Sequence, residues 1–207
     1  TRTKVSFEVA MYRLSGQTIN IDPKKSQIGR GESIKDTIRV LSSYVDALAI
    51  RTYDQSTIEE YKKWGSIPII NALTDLEHPC QILADFLTIK EEFTNFDDIV
   101  ISYVGDGNNV VNSLLLCSAL LGIKINIACP AKYLPKKAII DKSIQINKNF
   151  TQPFITNDPI EAVKGANVLY TDVWSSMGEE NQKIKKDEDF KGFTIDGDLV
   201  QKANKDA

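Results

Sequence analysis

The sequence predicts an α/β fold of two doubly wound domains, each a parallel sheet flanked by helices, with one helix as the bridge. Three observations predict it. Segments with apolar residues at helical spacing alternate with short, continuous apolar runs, the pattern of helices between buried strands. The short runs end in polar residues, where open α/β sheets bind their ligands. A polar stretch, residues 93–98, separates two such series, so the expected domains are residues 1–92 and 93–207.

Each element has its own signal. Phe7, Met11 and Leu14 fall at helical spacing, and Gly16 suits the C′ position that ends such a helix. Ile34, Ile38 and Leu41 repeat the helical period. Residues 47–50 are a short apolar run ending at Arg51, expected as a buried strand, and residues 66–70 are another that stops at Asn71. Pro79 is at home in the first turn of a helix, here the bridge, which runs on to about residue 92. Residues 99–104 form the next strand, 110–121 the next helix closed by Gly122, and 123–128 the next strand. Residues 153–156 form a strand, Asp158-Pro159 opens a short helix that Gly165 ends, and residues 167–171 form a strand that delivers Asp172. The charged stretch 183–189 is expected as a solvated, mobile loop.

Composition narrows the function classes. The chain has 207 residues, 42% hydrophobic and 26% charged, as a soluble globular protein has. A net charge of −3 provides no broad attraction for nucleic acid. No apolar run is long enough to span a bilayer, so neither nucleic acid nor membrane is an expected partner. Cys80, Cys117 and Cys129 are odd in number and widely spaced, which is neither a disulfide framework nor a metal pattern. Their places inside predicted elements suggest a reducing compartment. The chain starts at Thr1 without methionine, and is expected to be a fragment of a longer protein.

The candidate functional residues gather at strand ends and helix starts. Thr1-Arg2-Thr3 precedes a helix, where hydroxyls, a guanidinium fork and free N–H groups suit a phosphate, or where a threonine simply caps. Arg51 and Asn71 end strands. His78 is the only histidine, and it lies one helical turn before Gln81, so the two face the same side. They either point at one small ligand or bond locally. Gly105-Asp106-Gly107-Asn108-Asn109 joins a strand to a helix as a nucleotide-binding turn does. Val110 occupies the third glycine position, however, and no strand-end acid follows at the expected spacing, which weighs against a dehydrogenase. Asn108 and Asn109 suit either contacts to an amino acid or helix capping. Asp172-Val173-Trp174-Ser175-Ser176-Met177-Gly178 follows a strand, and is either an ammonium-binding loop with a movable end or a surface loop anchored by Trp174.

Taken together, Thr1-Arg2-Thr3-Lys4 with Ser6-Phe7-Glu8, then His78-Pro79-Cys80-Gln81, then Asp172-Val173-Trp174-Ser175-Ser176-Met177-Gly178 resemble the ornithine carbamoyltransferase family. The resemblance runs over essentially the whole chain. The first two motifs are shared by transcarbamoylases in general, the aspartate enzyme included. The third is specific to the ornithine enzymes, and Gly105-Asp106-Gly107-Asn108-Asn109 is similar to them too.

The resemblance implies carbamoyl transfer from carbamoyl phosphate to the δ-amine of L-ornithine, giving citrulline and phosphate without metal or organic cofactor. Thr1, Arg2, Thr3, Arg51, His78 and Gln81 would bind carbamoyl phosphate. Asn109, Asp172, Ser176 and Met177 would bind ornithine, with Arg51, His78 and Asp172 as the catalytic set. Gln27 lies in a loop that in this family reaches a neighbouring subunit, which implies a homotrimer or a multiple of trimers. Lys4 stands where the family has arginine and loses the planar fork, so it is left out of the binding set. The His-Cys-Leu-Pro motif and a later arginine of the family are absent, so residues 1–207 alone are expected to be poorly active. Arginine biosynthesis and the urea cycle, in the cytoplasm or a mitochondrial matrix, are the implied settings. Another transcarbamoylase, or a non-catalytic carbamoyl phosphate-binding module, are the alternatives.

Overall fold

The computed structural model describes residues 2–22, 25–174 and 183–207. It divides into two compact units, Thr1–Ala72 and Leu73–Ala207.

The first unit opens with α1 (Arg2–Arg13). Its end is a Schellman closure one residue earlier than glycine spacing suggests. Ser15, not Gly16, is left-handed (φ 61°). Ser15 N–H donates to the Tyr12 carbonyl at 3.0 Å and Gly16 N–H to the Met11 carbonyl at 2.8 Å. In α2 (Ile34–Leu41), Ser33 caps by accepting from the Asp36 N–H at 3.1 Å, and Ile38 is buried. β1 (Leu48–Arg51) includes the arginine and alternates half-buried with exposed, so it is not the fully buried strand that its apolar run suggests. α3 (Gln55–Trp64), which the sequence pattern did not reveal, buries only Ile58 and Tyr61 among charged neighbours. β2 (Ile69–Leu73) begins later than residues 66–70 suggest, and it contains Asn71. Pro68 has no N–H to enter a ladder, although its carbonyl still accepts from Leu48 N–H at 3.0 Å. β1 and β2 form a two-stranded sheet.

The second unit holds α4 (Pro79–Phe93), β3 (Val100–Val104), α5 (Asn109–Leu121), β4 (Lys124–Ala128), α6 (Lys137–Ile146), β5 (Phe154–Thr156), α7 (Pro159–Val163), β6 (Val168–Tyr170), α8 (Lys183–Asp189) and α9 (Gly197–Val200). Its strands lie in the order β5-β4-β3-β6, and every pair is parallel. Successive side chains of a strand face opposite sides. Ile101 and Tyr103 join Phe86 of α4, Leu114 and Leu115 of α5 and Ile139 of α6 in one apolar cluster. Val104 joins Ala162 and Val163 of α7, Phe190 and Leu199 in another. Helices thus cover both faces, as doubly wound sheets require. α5 is apolar nearly all round because it lies in the core, and Gly122 closes it in the left-handed conformation (φ 73°).

The chain runs outward from β3 through β4 to β5, then returns to place β6 on the other side of β3. That reversal is the switch point where such sheets bind ligands, beyond the carboxyl ends of their strands. Gly105 to Asn109 follow β3 there, and Asp172 follows β6.

The largest departure from expectation is at residues 183–189, which form a helix rather than a solvated loop. Lys186 Nζ pairs with Asp106 Oδ2 at 2.7 Å, with the two side chains only 2% and 8% exposed. The ammonium also lies 5.3 Å from the centre of the Tyr133 ring, and the Tyr133 hydroxyl donates to Asp189 Oδ2 at 2.9 Å. Asp106, 80 residues away, neutralises Lys186 alone; Lys185, Asp187 and Glu188 of the same helix stay exposed, as expected of a charged stretch.

Candidate active site

In the first unit, α1 begins at Arg2, so its first N–H groups are unpaired within the helix. Thr3, in that first turn, accepts a hydrogen bond through Oγ1 from Arg51 Nη1 at 2.9 Å. Two residues 48 apart in sequence, both expected to hold carbamoyl phosphate, are thereby brought together. Arg2 and Arg51 are exposed, which leaves their guanidinium groups open to an anion. Gln27 is exposed at the start of a 3₁₀ turn (Ile28–Arg30), and its carbonyl accepts from Arg30 and Glu32 N–H groups. Thr1 lies outside the described residues.

In the second unit, His78 stands at the N-cap of α4 with Pro79 after it. Its side chain does not cap the helix; its backbone N–H donates to the buried Ser113 hydroxyl at 2.8 Å instead. The imidazole is therefore carried by a backbone position fixed from α5. Gln81, one turn later, is exposed and donates through Nε2 to Asp85 Oδ1 at 3.0 Å.

The turn after β3 is built for close approach. Gly107 N–H donates to the Tyr133 carbonyl at 2.8 Å. A Cβ at Gly107 would stand 2.4 Å from that oxygen and 2.5 Å from the Leu134 carbonyl carbon, so only glycine fits. This explains the glycine without a dinucleotide. The buried Tyr103 hydroxyl donates to the Asp106 carbonyl at 2.8 Å, and burial with Asp172 nearby holds it well above the usual tyrosine range.

Asn108 caps α5, accepting from Val110 and Val111 N–H groups at 3.0 and 3.3 Å. Its Nδ2 also donates to Asp172 Oδ2 at 2.9 Å, so one amide ties the β3 and β6 ends together. Asn109 donates through Nδ2 to the Thr74 carbonyl at 2.6 Å. Asp172 is half-buried. Trp174, two residues on, stacks on Phe190 with ring centres 5.5 Å apart. Ser176 and Met177 lie outside the described residues.

Ser113, Asp85 and Asn108 bond to expected site residues, and Lys186 to Asp106 in the turn after β3; none of the four was in the expected set. Asn108 had a visible signal, its place in the strand-to-helix turn. Asp85 stands one helical turn after Gln81, a spacing visible in the sequence, whereas Ser113 and Lys186 act through contacts between elements far apart in sequence. The cysteines provide no nucleophile. Burial raises the Cys80 and Cys117 thiols, and burial with Asp106 nearby pushes Cys129 up to about 12, which disfavours the reactive thiolate.

The first unit thus gathers arginine and threonine at a helix start, a chemistry that suits an anion, and the second holds an amide-bound carboxylate at a sheet switch point, a chemistry that suits an amine. Residues 1–91 match the aspartate/ornithine carbamoyltransferase carbamoyl-P binding domain, and residues 97–207 match its Asp/Orn binding domain. The chain belongs to the aspartate/ornithine carbamoyltransferase family.

Within it, the chain is 65% identical over 207 residues to the ornithine carbamoyltransferase of Prochlorococcus marinus strain MIT 9312, covering 100% of this chain and 67% of that protein. Among solved structures, ornithine carbamoyltransferase from Pyrococcus furiosus matches with a TM-score of 0.91 and 42% identity, over 99% of this chain and 66% of that one. Anabolic ornithine carbamoyltransferase from Campylobacter jejuni matches with a TM-score of 0.91 and 37% identity, over 100% of this chain and 69% of that one. The chain spans about two thirds of the length of these relatives.

Proposed function

We propose that the protein containing this chain is an ornithine carbamoyltransferase. The neutral δ-amine of L-ornithine attacks the carbonyl carbon of carbamoyl phosphate and forms a C–N bond. The tetrahedral intermediate then expels phosphate as the C–O bond breaks, the proton lost by the amine ends on the released phosphate, and citrulline is left. The observation that carries this reading is the Asp172 carboxylate, held by Asn108 at the sheet's switch point, where an ammonium group needs an anion. The names of the relatives support the same substrate.

Residue roles follow the family resemblance. Thr1, Arg2 and Thr3 bind the phosphate, with the helix start adding partial positive charge. Arg51 and His78 stabilise the carbonyl oxygen as negative charge develops, and Gln81 holds the amide. Asn109, Asp172, Ser176 and Met177 bind ornithine. Most of the catalysis is positioning and preorganised electrostatics, and the reaction needs no metal or organic cofactor. Residues 1–92 form the carbamoyl phosphate-binding domain and residues 93–207 the ornithine-binding domain. Gln27 contacts a neighbouring subunit in a homotrimer. A cytoplasmic protein of arginine biosynthesis fits the kinds of relatives found; among the described residues no helix is long and apolar enough to cross a membrane.

Amine profiling of the full-length protein tests the substrate. L-Ornithine is expected to exceed putrescine, L-lysine and L-aspartate by at least about 100-fold in kcat/KM, a discrimination of roughly 2.7 kcal/mol. A better rate with another amine contradicts the assignment and favours a different transcarbamoylase. Carbamoyl phosphate binding with no amine turned over favours a binding module.

A further inference from the structure

Gln81 is the one expected carbamoyl phosphate residue whose amide has a fixed direction. Its Nε2 donates to Asp85 Oδ1 at 3.0 Å, one turn along α4. The second oxygen of Asp85, Oδ2, accepts from the Tyr170 hydroxyl at 2.6 Å. An ionised carboxylate only accepts. The end of the Gln81 amide that faces Asp85 must therefore be the NH₂, and the other end presents Oε1.

Tyr170 is the last residue of β6, so the carboxylate is clamped between a strand end and a helix. Burial, then the bond to Asp85, hold the Tyr170 hydroxyl above the usual tyrosine range. It stays protonated and keeps donating. A bare glutamine–aspartate pair one turn apart on a helix is a common surface feature. The tyrosine from another element distinguishes this one, because it fixes the carboxylate itself.

We propose that Asp85 and Tyr170 are positioning residues that aim Gln81 Oε1 at the donor substrate, and so select an acyl phosphate carrying an NH₂ group. The inference rests on the reading of Gln81 as a carbamoyl contact. A carbamoyl NH₂ donates to Oε1. An acetyl methyl group in the same place cannot, and leaves the acceptor without a partner. Sites built around a hydrogen bond reject analogues that lack it far better than apolar pockets reject a change of size. With the amide free to rotate, NH₂ and oxygen would alternate at that position and the selection would weaken.

The test uses the full-length protein, acetyl phosphate as a competitive inhibitor against carbamoyl phosphate, and the variant Asp85→Ala. Alanine favours the helix more than aspartate does. The ratio of acetyl phosphate Ki to carbamoyl phosphate KM is expected to fall by at least about tenfold, through a higher carbamoyl phosphate KM. The acetyl phosphate Ki and ornithine KM should stay within about twofold of wild type. An unchanged ratio, or equal weakening of both acyl phosphates, overturns the inference and leaves Asp85 a merely structural residue. Should Asp85→Ala fail to fold, Tyr170→Phe decides the matter: the ratio falls by at least about threefold or the inference is wrong. Wild-type protein that forms no citrulline contradicts the functional reading itself. Wild-type activity with an unchanged ratio contradicts this inference alone.

Discussion

Lys186→Met lowers the stability of the protein by about 3–5 kcal/mol, because it removes the buried ammonium that pairs with the Asp106 carboxylate. The pair is 2.7 Å apart and almost wholly buried. A charge removed from water without its partner keeps its desolvation cost and loses the attraction that offsets it. Asp106→Leu combined with Lys186→Met should therefore recover most of the loss, since two apolar side chains replace both charges. Urea unfolding of wild type, single and double variants measures this. A single-variant loss under about 1 kcal/mol, the value of an exposed pair, would mean that solvent reaches the ion pair. The position of the pair makes the loss matter for function. Asp106 shares its turn with Asn108, which holds Asp172, and α8 carries Lys186.

The second large effect is on turnover. His78→Ala should lower kcat by about 10²–10³, the usual cost of losing one donor to a developing oxyanion. The fold should survive, because the bond to Ser113 uses the backbone N–H, which alanine keeps. Pro79 still starts α4. Steady-state kinetics alongside circular dichroism separates the two effects. A kcat within a factor of about two of wild type would remove His78 from the chemistry.

Much of the second unit was legible in the chain. Gly122 and Gly165 closed helices where expected, and Asp158-Pro159 opened one, because each of these residues acts on its own backbone. His78-Pro79 marked the start of α4 for the same reason. Strands in a parallel sheet were visible as apolar runs because both faces are covered. The failures have equally local causes. α3 and α6 alternate isoleucine or tyrosine with many polar residues, so their apolar faces are narrow. Pro68 moved the start of β2, and Ser15 rather than glycine took the left-handed place after α1. The buried Lys186 could not be foreseen, since charge along a chain says nothing of a partner on another element.

The site divides the same way. Arg51 and Thr3 were each named from their strand end and helix start, and they prove to be hydrogen-bonded. Asp172 was placed by its strand, while its link to Asn108 depends on β6 returning beside β3. Family motifs supplied Gln81, but only the geometry exposes the Asp85–Tyr170 clamp that orients it. Thr1, Ser176 and Met177 lie outside the described residues, so their roles rest on the motifs alone.

The most direct test of the account is a product analysis of the full-length protein given carbonyl-¹³C carbamoyl phosphate and L-ornithine. The account predicts ¹³C-citrulline and phosphate in equal amounts, at a rate that falls sharply in Asp172→Ala. Carbamoyl phosphate consumed no faster than its spontaneous breakdown, with no labelled citrulline, would contradict it.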